Sequence, residues 1–179
     1  MASPLYVAKK GSYEEFCEVF DAEANDATDM LFGALTNGDP EARASICNAM
    51  LDRGADASRE EYGQNALTIL LGRHRDLGDG DAALVQRLID GGADVNFRNR
   101  SGDLPIRLAI TVRVADDEQR REVYEALFGT GELDLSLPSS VRNPVNTVGG
   151  WLRMNVDGRP GKLDAVSYTH LTLPTNREV

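Results

Sequence analysis

The sequence is poor in aromatic residues, histidine, cysteine and positive charge, and it has no long apolar run. Aromatics make up 6% of 179 residues, with a single Trp. The core is therefore expected to consist of Leu, Ile, Val, Ala and Met, a set that favours helices. The two cysteines, Cys17 and Cys47, both fall within apolar helical patterns, where a reduced thiol acts as a small hydrophobe. No stretch approaches the roughly 18 apolar residues of a membrane span. The opening MASPLYVAKKGSYEEF also lacks the apolar centre of a signal peptide, so a cytoplasmic chain with no membrane partner is expected. Lys and Arg number 19 against 29 Asp and Glu, a formal net charge of −10. A chain of that charge repels nucleic acid and suits a basic protein partner better.

Catalytic signals are equally scarce. There are two histidines, His74 and His170, and no glycine-rich phosphate loop, nucleophile elbow or zinc-ligand spacing. No catalytic residue, cofactor or metal is expected. His74 has Asp76, Asp79 and Asp81 close by, but the glycine and distal Glu of a calcium loop are missing at their required offsets. Asp81 reads instead as the cap of the helix AALVQRL.

What is present is a 41% hydrophobic, 27% charged mixture that suits one globular domain, and an internal period. GADAS at Gly54, GADVN at Gly92 and a degraded GELDL at Gly131 recur at steps of 38 and 39 residues. A second ladder, TDML at Thr28, NALT at Asn65, LPIR at Leu104 and NPVN at Asn143, steps by 37, 39 and 39. Each interval reads as two helices. The first opens on a polar cap or an early proline, at Thr28, at Asn65 and at Asp103-Leu104-Pro105. The second carries one apolar stripe: Ile46, Met50 and Leu51; then Leu84, Val85, Leu88 and Ile89; then Val123, Tyr124, Leu127 and Phe128. Gly54, Gly92 and Gly131 then end it, because glycine alone enters the left-handed cap conformation at no steric cost.

These words resemble the ankyrin-repeat family, whose unit is a hairpin, a TPLH helix, a second helix and a GADVN exit. The likeness is carried by residues 92–96, by residues 54–56 and by SPLYVAKKGSYEEF from Ser3 to Phe16, and extends to about Arg153. The histidine of TPLH is replaced by Tyr6, Leu31, Thr68, Arg107 and Asn146, which removes the family's Thr–His hydrogen bond. The period exceeds the family's thirty-three or so, with the surplus between the helices in TNGDPEAR, GRHRDLGDGD and TVRVADDEQR.

The resemblance implies an all-α, ankyrin-like solenoid of helix-turn-helix units with short hairpin or loop fingers. Its units would be 1–26, 27–62, 63–101, 102–140 and a truncated 141–165. Residues 166–175, VSYTHLTLPT, resemble a translated sequencing adapter, so 166–179 is expected to be a non-native tail. An apolar face near Val145, Val148 and Trp151 would then lie exposed and available for association.

The same resemblance implies a protein-binding scaffold that grips its partner with fingertips and the exposed side of the first helices. Carried over by position, the tips are Glu60, Glu61, Tyr62 and Gln64; Asn99, Arg100, Ser101 and Asp103; and Ser140 with Arg142. The first-helix positions are Arg73, Thr111 and Val112. Tyr62 is the expected anchor, because its ring can bury area while its hydroxyl stays wet. Phe97, Arg98 and Arg100 form a small basic and aromatic island, expected to make cross-finger ion pairs with Glu60 and Glu61. A sharper version makes the chain an immunity-type inhibitor of a basic toxin or enzyme. An alternative makes it the regulatory region of a larger, truncated enzyme.

Overall fold

The computed structural model describes residues 2–115 and 117–158. The adapter-like stretch 166–175, with His170, lies outside the described residues. In chain order the elements are helices α1 (Pro4–Lys10), α2 (Tyr13–Val19), α3 (Ala27–Ala34) and α4 (Pro40–Asp52), then strands β1 (Glu60–Glu61) and β2 (Gln64–Asn65). Helices α5 (Ala66–Arg73), α6 (Asp81–Asp90), α7 (Pro105–Thr111) and α8 (Asp117–Gly129) follow, then strands β3 (Pro138–Ser140) and β4 (Asn143–Thr147) and helix α9 (Val148–Gly158). The described residues are mostly helical, with two small antiparallel sheets, β1–β2 and β3–β4.

Short side chains begin most of the helices by accepting hydrogen bonds from otherwise free amides. Ser3 opens α1, Asp39 opens α4 ahead of Pro40, and Ser12 opens α2 in a reciprocal box with Glu15. Asn65 opens α5 in a second box with Thr68, which occupies the place where the resembling family has its histidine. Three sequence expectations need correction. α3 is capped by Asp26 rather than Thr28; the Thr28 hydroxyl instead accepts from the Asp56 amide at 3.0 Å. α6 is preceded by Gly80 at φ +89, and Asp81 sits inside the helix. Cys17 is exposed, whereas Cys47 is buried, where desolvation pushes its thiol far above the ordinary range.

The helices pack in sequential pairs, α1 on α2, α3 on α4, α5 on α6 and α7 on α8. The longer second members lie side by side, α4 on α6 and α6 on α8, and Ile46, Met50, Leu84, Val85, Leu88, Val123, Tyr124 and Leu127 on them are buried in the core. Gly54, Gly92 and Gly131 end these helices at φ +83, +96 and +68, as the stop reading requires.

A buried ion pair crosses from α4 to α6. Arg43 grips both carboxylate oxygens of Asp81, with Nε to Oδ1 at 2.9 Å, and donates a third bond to the Asn37 carbonyl. The surplus residues between helices also join laterally. His74 bonds the Leu35 carbonyl at 2.8 Å, the Leu77 amide donates to Arg113 at 2.8 Å, and the Arg113 amide donates to Arg75 at 3.0 Å.

At the C-terminal end, α9 lies against β3 and β4. The face expected to be bare there is partly covered: Val148 is fully buried, and Trp151 is half-buried with the Arg107 guanidinium 5.1 Å from its ring centre. Val145 alone of the three is open to solvent, at 86% exposure.

Candidate functional site

Among the first helices, α1 packs closely on α3 and α5 on α7, but α3 and α5 make no comparable backbone approach. A cavity of about 390 Å³ lies there, walled by α1, α3, α5 and the β1–β2 finger. Gly33 leaves room on α3 for the Leu5 side chain of α1: a Cβ there would stand 2.7 Å from Leu5 Cδ1. Leu5 thereby becomes one apolar wall, with Ile69 of α5 another.

Arg59 forms the floor. Its guanidinium bonds Asp29 of α3 at 2.8 Å and Glu61 of β1 at 2.9 Å, and sits 5.1 Å from the centre of the buried Phe32 ring. The Asp29 hydrogen bond first, and then that of Glu61, hold its pKa above the ordinary arginine value. The cation is thus pinned on an aromatic face and ties the finger to α3.

The finger is a hairpin in which Glu60 faces Asn65 and Glu61 faces Gln64. That register leaves a two-residue loop, Tyr62 and Gly63, at φ +51 and +70. Two successive positive φ values are what a type I′ turn demands, and the first position ordinarily carries Asn, Asp or Gly. Tyr62 is the one non-glycine residue with positive φ among the described residues, and it is 88% exposed. Behind it, the Arg100 amide donates to the Gly63 carbonyl at 2.8 Å.

The structure brings four expected site residues together on this cavity: Glu61, Tyr62, Gln64 and Arg73. Glu60 is exposed on β1 and does not line it. The second expected tip is a compact turn whose polar groups are largely engaged within it. The Asn99 side chain accepts from the amides of Ser101 and Asp103, at 3.0 and 2.8 Å, and Asp103 lies 3.9 Å from Arg107. Arg98 donates to the Gly102 and Pro138 carbonyls and Glu61 is held by Arg59, so the expected cross-finger ion pairs are replaced by these contacts. Thr111, whose hydroxyl donates to the Leu108 carbonyl at 3.1 Å, lines a separate hollow of about 260 Å³ with His74, Arg75, Val112 and Arg113. Ser140 and Arg142 belong to the β3–β4 hairpin, where the Arg142 amide donates to the Ser140 hydroxyl at 3.2 Å.

Sequence reasoning missed Leu5, Lys9, Asp29, Phe32, Thr36 and Arg59, all of which line the cavity. The available signal was Asp29 and Arg59, opposite charges a little under one period apart. His74 and Asp81 are both engaged internally. The His74 ring nitrogen faces the Leu35 carbonyl, while the Asp81 carboxylate accepts from Arg43 and from the Gly78 amide at 2.8 Å. Among the described residues, no group of three His, Cys, Asp or Glu is placed to hold a metal ion, and no helix is long and apolar enough to cross a membrane.

No protein-family model and no curated protein matches the chain. Among solved structures, a functionally unknown protein from Leptotrichia buccalis C-1013-b is similar, with a TM-score of 0.69 and 20% identity over 92% of this chain and 91% of that one. At that identity the likeness concerns the fold alone.

Proposed function

We propose that the chain is a non-catalytic, protein-binding scaffold: an ankyrin-like solenoid that holds its partner in the groove between α3, α5 and the β1–β2 finger. The observation that carries this reading is Tyr62. A bulky aromatic in left-handed backbone is disfavoured by about 1–2 kcal/mol, and the Tyr62 side chain, 88% exposed, buries little surface to offset the cost. Strain of this kind gathers at ligand clamps, and an exposed tyrosine on a braced turn is a typical interface anchor. The solenoid part of the reading draws support from the spans of the side-chain hydrogen bonds. Bonds such as Asn37–Gly11, Arg43–Asp81, Asn96–Glu132 and Arg98–Pro138 bridge 26 to 40 residues, about one period. A closed core would also join segments two and three periods apart; modules that touch only their neighbours would not.

The test is site-specific photo-crosslinking in extracts of the source cells. A photoreactive residue at position 62 is expected to capture a discrete protein that one at Gln86, exposed on α6, does not. Equal capture from both positions, or none from 62, counts against the reading.

A further inference from the structure

The chain carries a net charge of −10, yet the lining of the groove is net positive, with Lys9, Arg59 and Arg73 against Asp29 and Glu61. Its lining carboxylates, Asp29 and Glu61, are both engaged by Arg59. Lys9 and Arg73, in the last turns of α1 and α5, line the same cavity. Neither has an ion pair or hydrogen bond among the described residues. Cations are favoured at helix C-termini in general, which accounts for each alone but not for two helices delivering theirs to one hollow. The same lining includes the apolar side chains of Leu5 and Ile69 and the exposed Tyr62.

We infer that the groove receives an extended segment of a protein partner in which an aliphatic or aromatic side chain is flanked by Asp or Glu. The side chain enters beside Leu5 and Ile69, over the Arg59 guanidinium that lies on Phe32, and the flanking carboxylates meet Lys9 and Arg73. This deepens the scaffold reading and rests on it. The long-range field of the chain still repels anions, but that field is screened over roughly 8 Å at physiological salt. At contact distance the two local cations govern which sequence fits, and charge complementarity acts mainly on specificity.

The experiment pans short random peptides displayed on phage against the full chain. The expected pool places Leu, Ile, Phe, Tyr or Trp next to Asp or Glu. A fluorescent synthetic peptide from that pool should lose about tenfold in affinity for the Lys9→Glu/Arg73→Glu variant, whose changes are on exposed residues. Panned anew, the variant should select anchors flanked by Lys or Arg, an inversion that mere loss of structure would not produce; an unchanged melting temperature confirms folding. A wild-type pool rich in Lys or Arg overturns the inference, as do acidic peptides that bind the variant equally well. If no peptide is enriched but crosslinking at position 62 still captures a partner, the inference fails and the scaffold reading stands. If both come up empty, both fail.

Discussion

Two residues carry consequences that can be measured singly. Tyr62 holds a conformation that Asn adopts readily at the first position of a type I′ turn. Tyr62→Asn should therefore raise stability by about 0.5–1 kcal/mol, a gain of a few degrees in melting temperature, while weakening capture of the partner. A variant that melts lower would mean that the ring contributes to the fold. His74 is half-buried, and desolvation foremost lowers its pKa below 6.5, against the opposing hydrogen bond to the Leu35 carbonyl. A carbonyl only accepts, so the facing ring nitrogen, Nε2, carries the proton and donates. Because the folded state disfavours the second proton, the unfolded chain binds more protons just below pH 6.5, and stability should decline as pH falls below about 6.5. His74→Gln, which keeps a donor but does not titrate, should flatten melting temperature against pH in that window. Superimposable profiles would show that His74 plays no part.

At the scale of elements, the connecting segments are as close-fitting as the helices. Gly78, in the α5–α6 connection, sits against the first turn of α4: a Cβ there would come within 2.0 Å of Pro40 Cβ, part of a rigid ring. Gly78→Ala should therefore cost about 1–3 kcal/mol through overpacking, read as a lower urea midpoint at unchanged slope. Gly38→Ala, where nothing lies within 4 Å, should be close to neutral. Helix stops and apolar stripes were legible from the sequence because they are local: Gly54, Gly92 and Gly131 need only their own backbone, and the α4, α6 and α8 stripes only their own spacing. The caps were legible to within a turn. Asp26 and Thr28 are both able to cap, and Arg43, far along the chain, draws Asp81 into the interior. The finger residues Glu61, Tyr62 and Gln64 were legible because one hairpin holds them. Lys9, Phe32 and Arg59 were not, because the wall they build exists only after α1 and α3 have packed.

At the scale of the whole molecule, stability is expected to be uneven. Helices α4 and α6 are flanked on both sides and tied by the Arg43–Asp81 pair and by Arg87, which bonds Asn48 and Asp52 at 2.9 and 2.6 Å. Helix α9 rests on β3 and β4. Amide hydrogen exchange should accordingly show the slowest sites in α4 and α6 and markedly faster exchange in α9. Uniform protection through α9 would indicate one cooperative unit instead. The Arg43–Asp81 pair also bears on how such a gene can change. Leaving one partner of a buried pair alone costs about 3–5 kcal/mol, a large part of a typical domain's 5–15 kcal/mol. A recombination that swapped the α3–α4 segment for a homologous copy would have to bring its own arginine, or find the aspartate already gone. The pair thus couples substitutions in the two segments, although the period along the chain suggests freely exchangeable parts.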